Sequence, residues 1–218
     1  MTRAFVGALL VCAGAVTPAA AQTPRWELGI GALVTGTESA GDTNASLLSP
    51  GGDSLTLFRA SHRITSGLGL EGGLSWRLRD KLRAEVAIGW LKADFESRIS
   101  GDFEDVPDVS LTQGVQQFRG EVAVAYRVLH RGRLSAFVRG GAGAFREITT
   151  DQALVGNGAS ASLGGVAHVL VRQAPSGLFG RLAIRVEARA VVRRSGITFG
   201  EEGARVSPTF VAGLVFGR

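Results

Sequence analysis

The chain of 218 residues is long enough for one domain, and its single cysteine, Cys12, excludes a scaffold stapled by disulfides. The net charge of +5 is not gathered into a basic run, so the composition gives no support to nucleic-acid binding. Hydrophobic residues make up 45% of the chain, yet after the N-terminal segment no apolar run approaches the ~20 residues of a membrane helix. The remaining chain is therefore either soluble or crosses a membrane with strands.

The N-terminal segment has the order of features found in a secretory signal peptide. Arg3 supplies the positive charge, Ala4–Val16 is the apolar run, and Ala19–Ala21 is a small-residue cleavage site. We therefore expect a signal peptide over residues 1–21 and a single domain over residues 22–218.

Eight later segments alternate apolar residues with polar or small ones at a period of two, which is the pattern of β-strands. In chain order they are Trp26–Thr35, Leu68–Leu78, Leu82–Trp90, Phe118–Val128, Leu134–Ala144, Leu163–Arg172, Leu178–Ala190 and Thr209–Phe216. Eight is an even number and the smallest number of strands found in membrane barrels.

The connections between these strands alternate in length. The short ones are Arg79–Lys81, Leu129–Arg133 and Gln173–Gly177. The long ones cover approximately 36–65, 94–117, 147–160 and 194–205. Both ends of the domain fall on the side of the short turns, and this layout is typical of outer-membrane barrels, with short periplasmic turns and long extracellular loops. Leu55, Leu57 and Phe58 leave open an extra hairpin within the first long loop.

The two faces of the strands decide between a membrane barrel and its main alternative, a soluble barrel. One face is almost purely apolar, and the other mixes small residues with Arg and Glu, as expected for a narrow lumen. Aromatic residues on the apolar face form two groups, Trp26, Trp76, Tyr126 and Phe216 near the short turns, and Trp90 and Phe118 eight residues deeper. Their separation of roughly 20 Å matches a lipid slab and favours the membrane barrel.

On these residues the chain resembles the small outer-membrane β-barrel superfamily, which includes the OmpA transmembrane domain, OmpX and the opacity-type proteins. The resemblance covers residues 25–218 and rests on the Gly-x-Gly strands, such as Leu28–Gly31, and on the alternating last strand with Phe216 near its end. It implies an eight-stranded antiparallel up-and-down transmembrane β-barrel in the bacterial cell outer membrane. The implied partners are outer-membrane lipid, lipopolysaccharide and the barrel-assembly machinery, and the implied state is a monomer. The chain ends Gly217–Arg218, so the aromatic residue is displaced from the terminus.

Charged residues on the inward face predict a closed lumen. Counted from the short turns, Glu71, Glu121, Arg139, Arg185 and Glu187 reach a middle level. Nearer those turns are Glu27, Arg77, Arg83, Glu85, Arg127 and Arg181. Eight strands leave a lumen just wide enough for side chains, and an isolated buried charge is very costly. We therefore expect the two middle-level arginines to be held by the three glutamates, and the arginines nearer the turns to be hydrated.

No pattern indicates a catalytic site, a metal site or a cofactor. None of His62, His130 and His168 has a serine two residues later, as in deacylating barrels, and no Gly-x-Ser-x-Gly occurs after residue 21. The second long loop contains Asp94, Glu96, Asp102, Glu104, Asp105 and Asp108, without the fixed spacing of a calcium loop. We interpret it as a solvated acidic loop.

The sequence thus predicts a non-enzymatic outer-membrane barrel with a structural or surface-interaction role. A narrow porin-like channel for small solutes is the alternative, and a lipid-modifying outer-membrane enzyme is a further one.

Overall fold

The computed structural model describes residues 26–48, 54–101, 107–173, 180–198 and 203–217. The expected signal peptide, 1–21, lies outside them. The strands are β1 (Trp26–Thr35), β2 (Glu38–Leu48), β3 (Ser54–Ile64), β4 (Gly67–Arg77), β5 (Leu82–Ser100), β6 (Val109–Arg131), β7 (Leu134–Thr149), β8 (Val155–Gln173), β9 (Arg181–Ser195) and β10 (Arg205–Gly217). No helix of membrane-spanning length and apolarity occurs within these ranges.

Eight of these strands close into one antiparallel ring in the order β1, β4, β5, β6, β7, β8, β9, β10, with β10 paired back to β1. The predicted eight-stranded up-and-down barrel is confirmed. Starting from Trp26 on β1, the successive ladder partners on the other seven strands end at Pro208 on β10. The carbonyl oxygen of Pro208 accepts a hydrogen bond from the N–H of Gly36, the residue after β1, at 2.8 Å. The ring is therefore staggered by 36 − 26 = 10 residues, and a stagger of this kind requires strands tilted by about 40°.

Beyond the ring, on the side away from the short turns, four strand segments continue as one sheet. This protruding sheet consists of β2, β3, Phe95–Ser100 of β5 and Val109–Gly114 of β6. The hairpin that the sequence left open in the first long loop is thus formed by β2 and β3. The expected loop over 94–117 is wrong in most of its length, because the β5–β6 ladder continues to the pair Ile99–Val109. Cross-strand hydrogen bonds extend these strands where the single-strand alternation is no longer evident.

The acidic residues expected in that loop accordingly lie partly in strands. Glu96 forms an ion pair with Arg63 at 2.5 Å, and Asp108, just before β6, forms one with Arg98 at 2.6 Å. Asp94 also lies in β5, and the other three expected acidic residues, Asp102, Glu104 and Asp105, lie outside the described residues. Glu96 therefore lies in a strand and not in a loop, whereas Asp108 lies outside the strands, and both carboxylates are partly exposed and paired with arginines.

The outer wall of the ring is apolar between two groups of aromatic side chains. At the end with the short turns, hereafter the short-turn end, Trp26 stacks on Trp76 with ring centroids 4.8 Å apart. Tyr126 and Phe216 belong to the same end, where they face strand neighbours at the ends of β5 and β1. At the other border, Trp90 and Phe118 are direct partners across the β5–β6 ladder. Between these borders the outward side chains are exposed, and Ile88 is the most exposed of them at 69%.

Candidate functional site

The lumen contains a network of four glutamates and four arginines at its middle. This lumen network consists of Glu71, Glu85, Glu121, Glu187, Arg119, Arg139, Arg185 and Arg189. All eight have odd numbers on β4, β5, β6, β7 and β9, because the odd positions of these strands face inward. Because inward and outward side chains alternate strictly along each strand, five strands place charged side chains at one level of the barrel.

Arg139 lies at the centre of the network and is 1% exposed. Its Nε donates to Glu85 Oε2 at 3.0 Å, and its Nη1 donates to Glu121 Oε1 at 2.7 Å. The same Nη1 lies 3.5 Å from Glu187 Oε1. The Ser162 hydroxyl also donates to the Glu121 carboxylate, at 2.5 Å. One guanidinium thus contacts three carboxylates from three strands.

Strand β9 contributes a second line of contacts with the order Arg185, Glu187, Arg189. Arg185 Nη2 donates to Glu187 Oε2 at 2.6 Å and to Glu85 Oε2 at 3.0 Å. Arg189 Nη1 donates to Glu187 Oε1 at 2.8 Å, and its Nη2 donates to Glu71 Oε2 at 2.5 Å. Glu187 therefore joins the Arg139 centre to the rest of the network through both of its oxygens.

The lumen network contains all five residues expected at the middle level, which are Glu71, Glu121, Arg139, Arg185 and Glu187. Glu71, however, does not hold Arg139 or Arg185 as expected. It instead binds two arginines that the prediction left out, Arg119 and Arg189.

Glu85 belongs to the lumen network, although the sequence analysis did not place it at the middle level. The sequence placed it nearer the short turns, but it holds both Arg139 and Arg185 at 3.0 Å. Levels were counted separately from the end of each strand, whereas the ten-residue stagger shifts neighbouring strands along the barrel axis. The odd-position rule would have found Arg119 and Arg189, since both face inward on strands whose alternation was already evident.

Glycines opposite the network leave room for its long side chains. A Cβ on Gly141 would overlap the Glu121 carboxylate, and a Cβ on Gly89 would lie 2.8 Å from Arg119 Nε. Space is left elsewhere by the glycines of β1, β4 and β10, which border a cavity of about 30 Å³ beside Glu71, Glu85 and Arg185. A cavity of this size holds a water molecule and is far below the roughly 300 Å³ of a small-molecule site.

Two further clusters fill the lumen between the network and the protruding sheet. The apolar cluster consists of Leu33, Ala40, Ile64, Leu91, Ala93, Phe95, Val115, Ile197 and Val211. The second charged cluster consists of Glu38, Glu147, Arg193 and Arg205. Its Arg193 Nη1 donates to Glu38 Oε1 at 2.9 Å. Sequence reasoning missed the second cluster because all but Arg193 lie in segments interpreted as long loops.

Near the short turns, Glu27 binds Arg83 and accepts a hydrogen bond from Arg181 Nη1 at 2.7 Å. Arg83 is 5% exposed and lies 4.6 Å from the centre of the Phe137 ring, so its expected hydration is wrong. His168 packs against the same ring at 5.1 Å between centroids.

Over the described ranges, no group of three or more His, Cys, Asp or Glu side chains could hold a metal ion. His130 Nδ1 lies 2.9 Å from Ser135 Oγ at the short-turn end. In the described part of the chain no carboxylate lies within ion-pair distance of His130, so this pair lacks the acid of a hydrolase triad.

A closed antiparallel ring with an apolar outer wall and a filled, charged interior is the fold of a small transmembrane β-barrel. In comparisons with known proteins, no family model and no curated protein matches the chain. Among solved structures, Neisserial surface protein A matches with a TM-score of 0.51 and 12% identity, covering 89% of this chain and 99% of that chain. The outer-membrane protein AlkL matches with a TM-score of 0.42 and 15% identity, covering 94% of both chains. Ail of Yersinia pestis matches with a TM-score of 0.39 and 10% identity, covering 90% of this chain and 100% of that chain. The chain has the fold of the small outer-membrane β-barrel proteins.

Proposed function

We propose that this protein is an integral barrel of the bacterial outer membrane with a closed lumen, and that it acts at the cell surface through its protruding sheet. The observation that carries this proposal is the filled interior. Arg139 and Glu187 in the lumen network are each 1% exposed, and Leu33 in the apolar cluster is fully buried. A solute entering this lumen would have to displace paired charges and packed apolar side chains in turn.

The protruding sheet supports the surface-interaction part of the proposal. In the described residues, Val109–Gln113 of β6 has β5 as its ladder partner, and β2 has β3. Unpaired strand edges present N–H and C=O groups on which another extended chain can add a strand. The sheet also exposes large apolar side chains, and Leu111 beside the β6 edge is 63% exposed. An open edge flanked by apolar side chains fits a protein partner.

The proposal includes the route to the membrane. Residues 1–21 would direct export, and the alternating β10 with Phe216 near its end would be recognised by the barrel-assembly machinery. The apolar wall would then contact lipid and lipopolysaccharide around a monomeric barrel. Exposed cations above the outer aromatic border, such as Lys92 and Arg146, support contact with phosphorylated lipid.

Planar-bilayer recording tests the closed lumen. The unmodified barrel should give no steady conductance, because the network and both clusters obstruct the whole cross-section. Heat-modifiable gel migration of the same sample should show that the barrel is inserted and folded. A large, steady conductance from the folded protein would contradict closure and favour the narrow channel for small solutes.

Site-specific labelling on intact cells tests the orientation. Because Cys12 lies in the expected signal peptide, a single introduced cysteine would be the only thiol of the exported domain. A membrane-impermeant maleimide should label Ser61→Cys on the protruding sheet, but should label Arg133→Cys only after the outer membrane is permeabilised. The reverse pattern would place the protruding sheet in the periplasm and exclude a surface role.

A further inference from the structure

The short-turn end of the barrel carries exposed cations without acidic partners. They are Arg79, Lys81, Arg131, Arg133 and Arg172. Across the described ranges none of the five lies within ion-pair distance of a carboxylate. Asp80 is the only acidic residue in these turns, and the nearby Glu27 is buried and already bound by Arg83 and Arg181. This end of the molecule is therefore strongly basic.

At the opposite end, two exposed arginines have acidic partners, whereas Lys92, Arg146 and Arg194 have no ion pair among the described residues. On the protruding sheet, Arg63 and Arg98 have side chains that are both 63% exposed, and each is matched by a carboxylate, from Glu96 and Asp108 respectively. Such surface pairs add little stability, so their presence reflects where acidic residues have been placed. The absence of matching acids at the short turns leaves those cations available to a ligand outside the chain.

The arrangement of the cations around the barrel indicates the shape of that ligand. They belong to the β4–β5 and β6–β7 connections and to the end of β8, so they lie on an arc of five neighbouring strands out of the eight in the barrel. Arg79 follows Trp76 by three residues, or roughly 7 Å along the membrane normal at about 3.3 Å per residue and the strand tilt. Aromatic girdles lie at the headgroup level, so the cations lie at the depth of lipid phosphates.

We propose that these five side chains form a basic ring that binds the phosphates of anionic phospholipids in the leaflet around the short-turn end. The inference rests on the membrane-spanning barrel proposed above. Guanidinium groups match phosphate oxygens in two-point geometry, and each cation near an anionic membrane surface shifts the partition by about fivefold. This partial ring follows the lipid shell beside five of the eight strands.

Fluorescence quenching by brominated lipids tests the ring. Replacing Trp90→Phe leaves Trp26 and Trp76 as reporters, and both lie at the short-turn end. The refolded barrel is placed in phosphatidylcholine nanodiscs that contain brominated phosphatidylglycerol or, at the same mole fraction, brominated phosphatidylcholine. The anionic lipid should quench several-fold more strongly. The preference should disappear in a variant with glutamine at all five ring positions.

A matched variant and a salt series make this test specific. Glutamine at Arg59 and Arg194, two exposed cations beyond the outer aromatic border, should leave the preference unchanged. If the five-site variant fails to fold, molar salt should remove the preference of the parent, since the Debye length falls to about 3 Å. Equal quenching by the two lipids in a folded barrel would overturn the ring while leaving the barrel itself intact. A lipid preference that survives both neutralisation of the five cations and molar salt would also overturn the proposal. So would loss of the preference on addition of soluble polyglutamate, because the cations would then bind an acidic polymer.

Discussion

Replacing Arg139 with alanine should destabilise the barrel by about 3–5 kcal/mol, the scale for removing one partner from a buried ion pair. The side chain is almost fully buried and faces the carboxylates of Glu85, Glu121 and Glu187. Without the guanidinium, these carboxylates repel one another in a lumen that has little room for water. Urea unfolding in lipid vesicles, followed by tryptophan fluorescence and heat-modifiable migration, measures the loss.

A matched alanine substitution separates burial from charge. Arg131→Ala removes the same side chain from the exposed end of β6 and, in vesicles of phosphatidylcholine alone, should change the free energy of unfolding by no more than about 0.5 kcal/mol. Glu121→Ala should also destabilise the fold by about 3–5 kcal/mol, because it leaves the Arg139 charge with one partner fewer. If Arg139→Ala were as mild as Arg131→Ala, the lumen network would not hold the barrel together.

The eight-stranded ring could be predicted from the sequence because both of its determinants are local. The first determinant is the period-two alternation of apolar residues, which is visible within a single strand such as Leu82–Trp90. The second is the alternation of short and long connections, which follows once the strand ends are located. Closure follows from elementary physics, since an open sheet edge is not tolerated within a lipid bilayer. The same local rule identifies which residues face inward.

The partners within the lumen could not be predicted in full because they depend on a global quantity. The ten-residue stagger decides which inward residues share a level, and it becomes known only when the whole ring is paired. Glu85 and Glu71 illustrate the effect: the first joined Arg139 and Arg185, and the second joined Arg119 and Arg189.

The apolar cluster has a related cause. Leu33 lies on the inward face, which the sequence interpretation described as polar or small, and Leu91 and Phe95 continue the inward row of β5 beyond its predicted end. These side chains become buried only because the protruding sheet extends the wall of the barrel at this end. Their burial is therefore a property of the tertiary structure, and no single-strand pattern contains it.

Arginine at Ile88 or Val124 should each cost about 2–4 kcal/mol of stability in a bilayer, the scale for a cation facing lipid near the midplane. Both side chains point outward between the two aromatic borders, with exposed fractions of 69% and 49%. In the membrane proposed for this barrel they would face hydrocarbon, where a guanidinium must snorkel toward the headgroups or draw water into the bilayer.

A second arginine on the same face of β6 provides the control. Thr112 points outward on β6, as Val124 does, but lies in the protruding sheet beyond Phe118. Thr112→Arg should therefore change stability by no more than about 1 kcal/mol. Urea unfolding in vesicles should show that Val124→Arg and Ile88→Arg each lower the free energy of unfolding by at least about 1 kcal/mol more than Thr112→Arg does. Equal effects at all three positions would mean that the apolar wall does not face lipid. The barrel would then be water-soluble, and its exposed leucines and valines would need a protein partner to cover them.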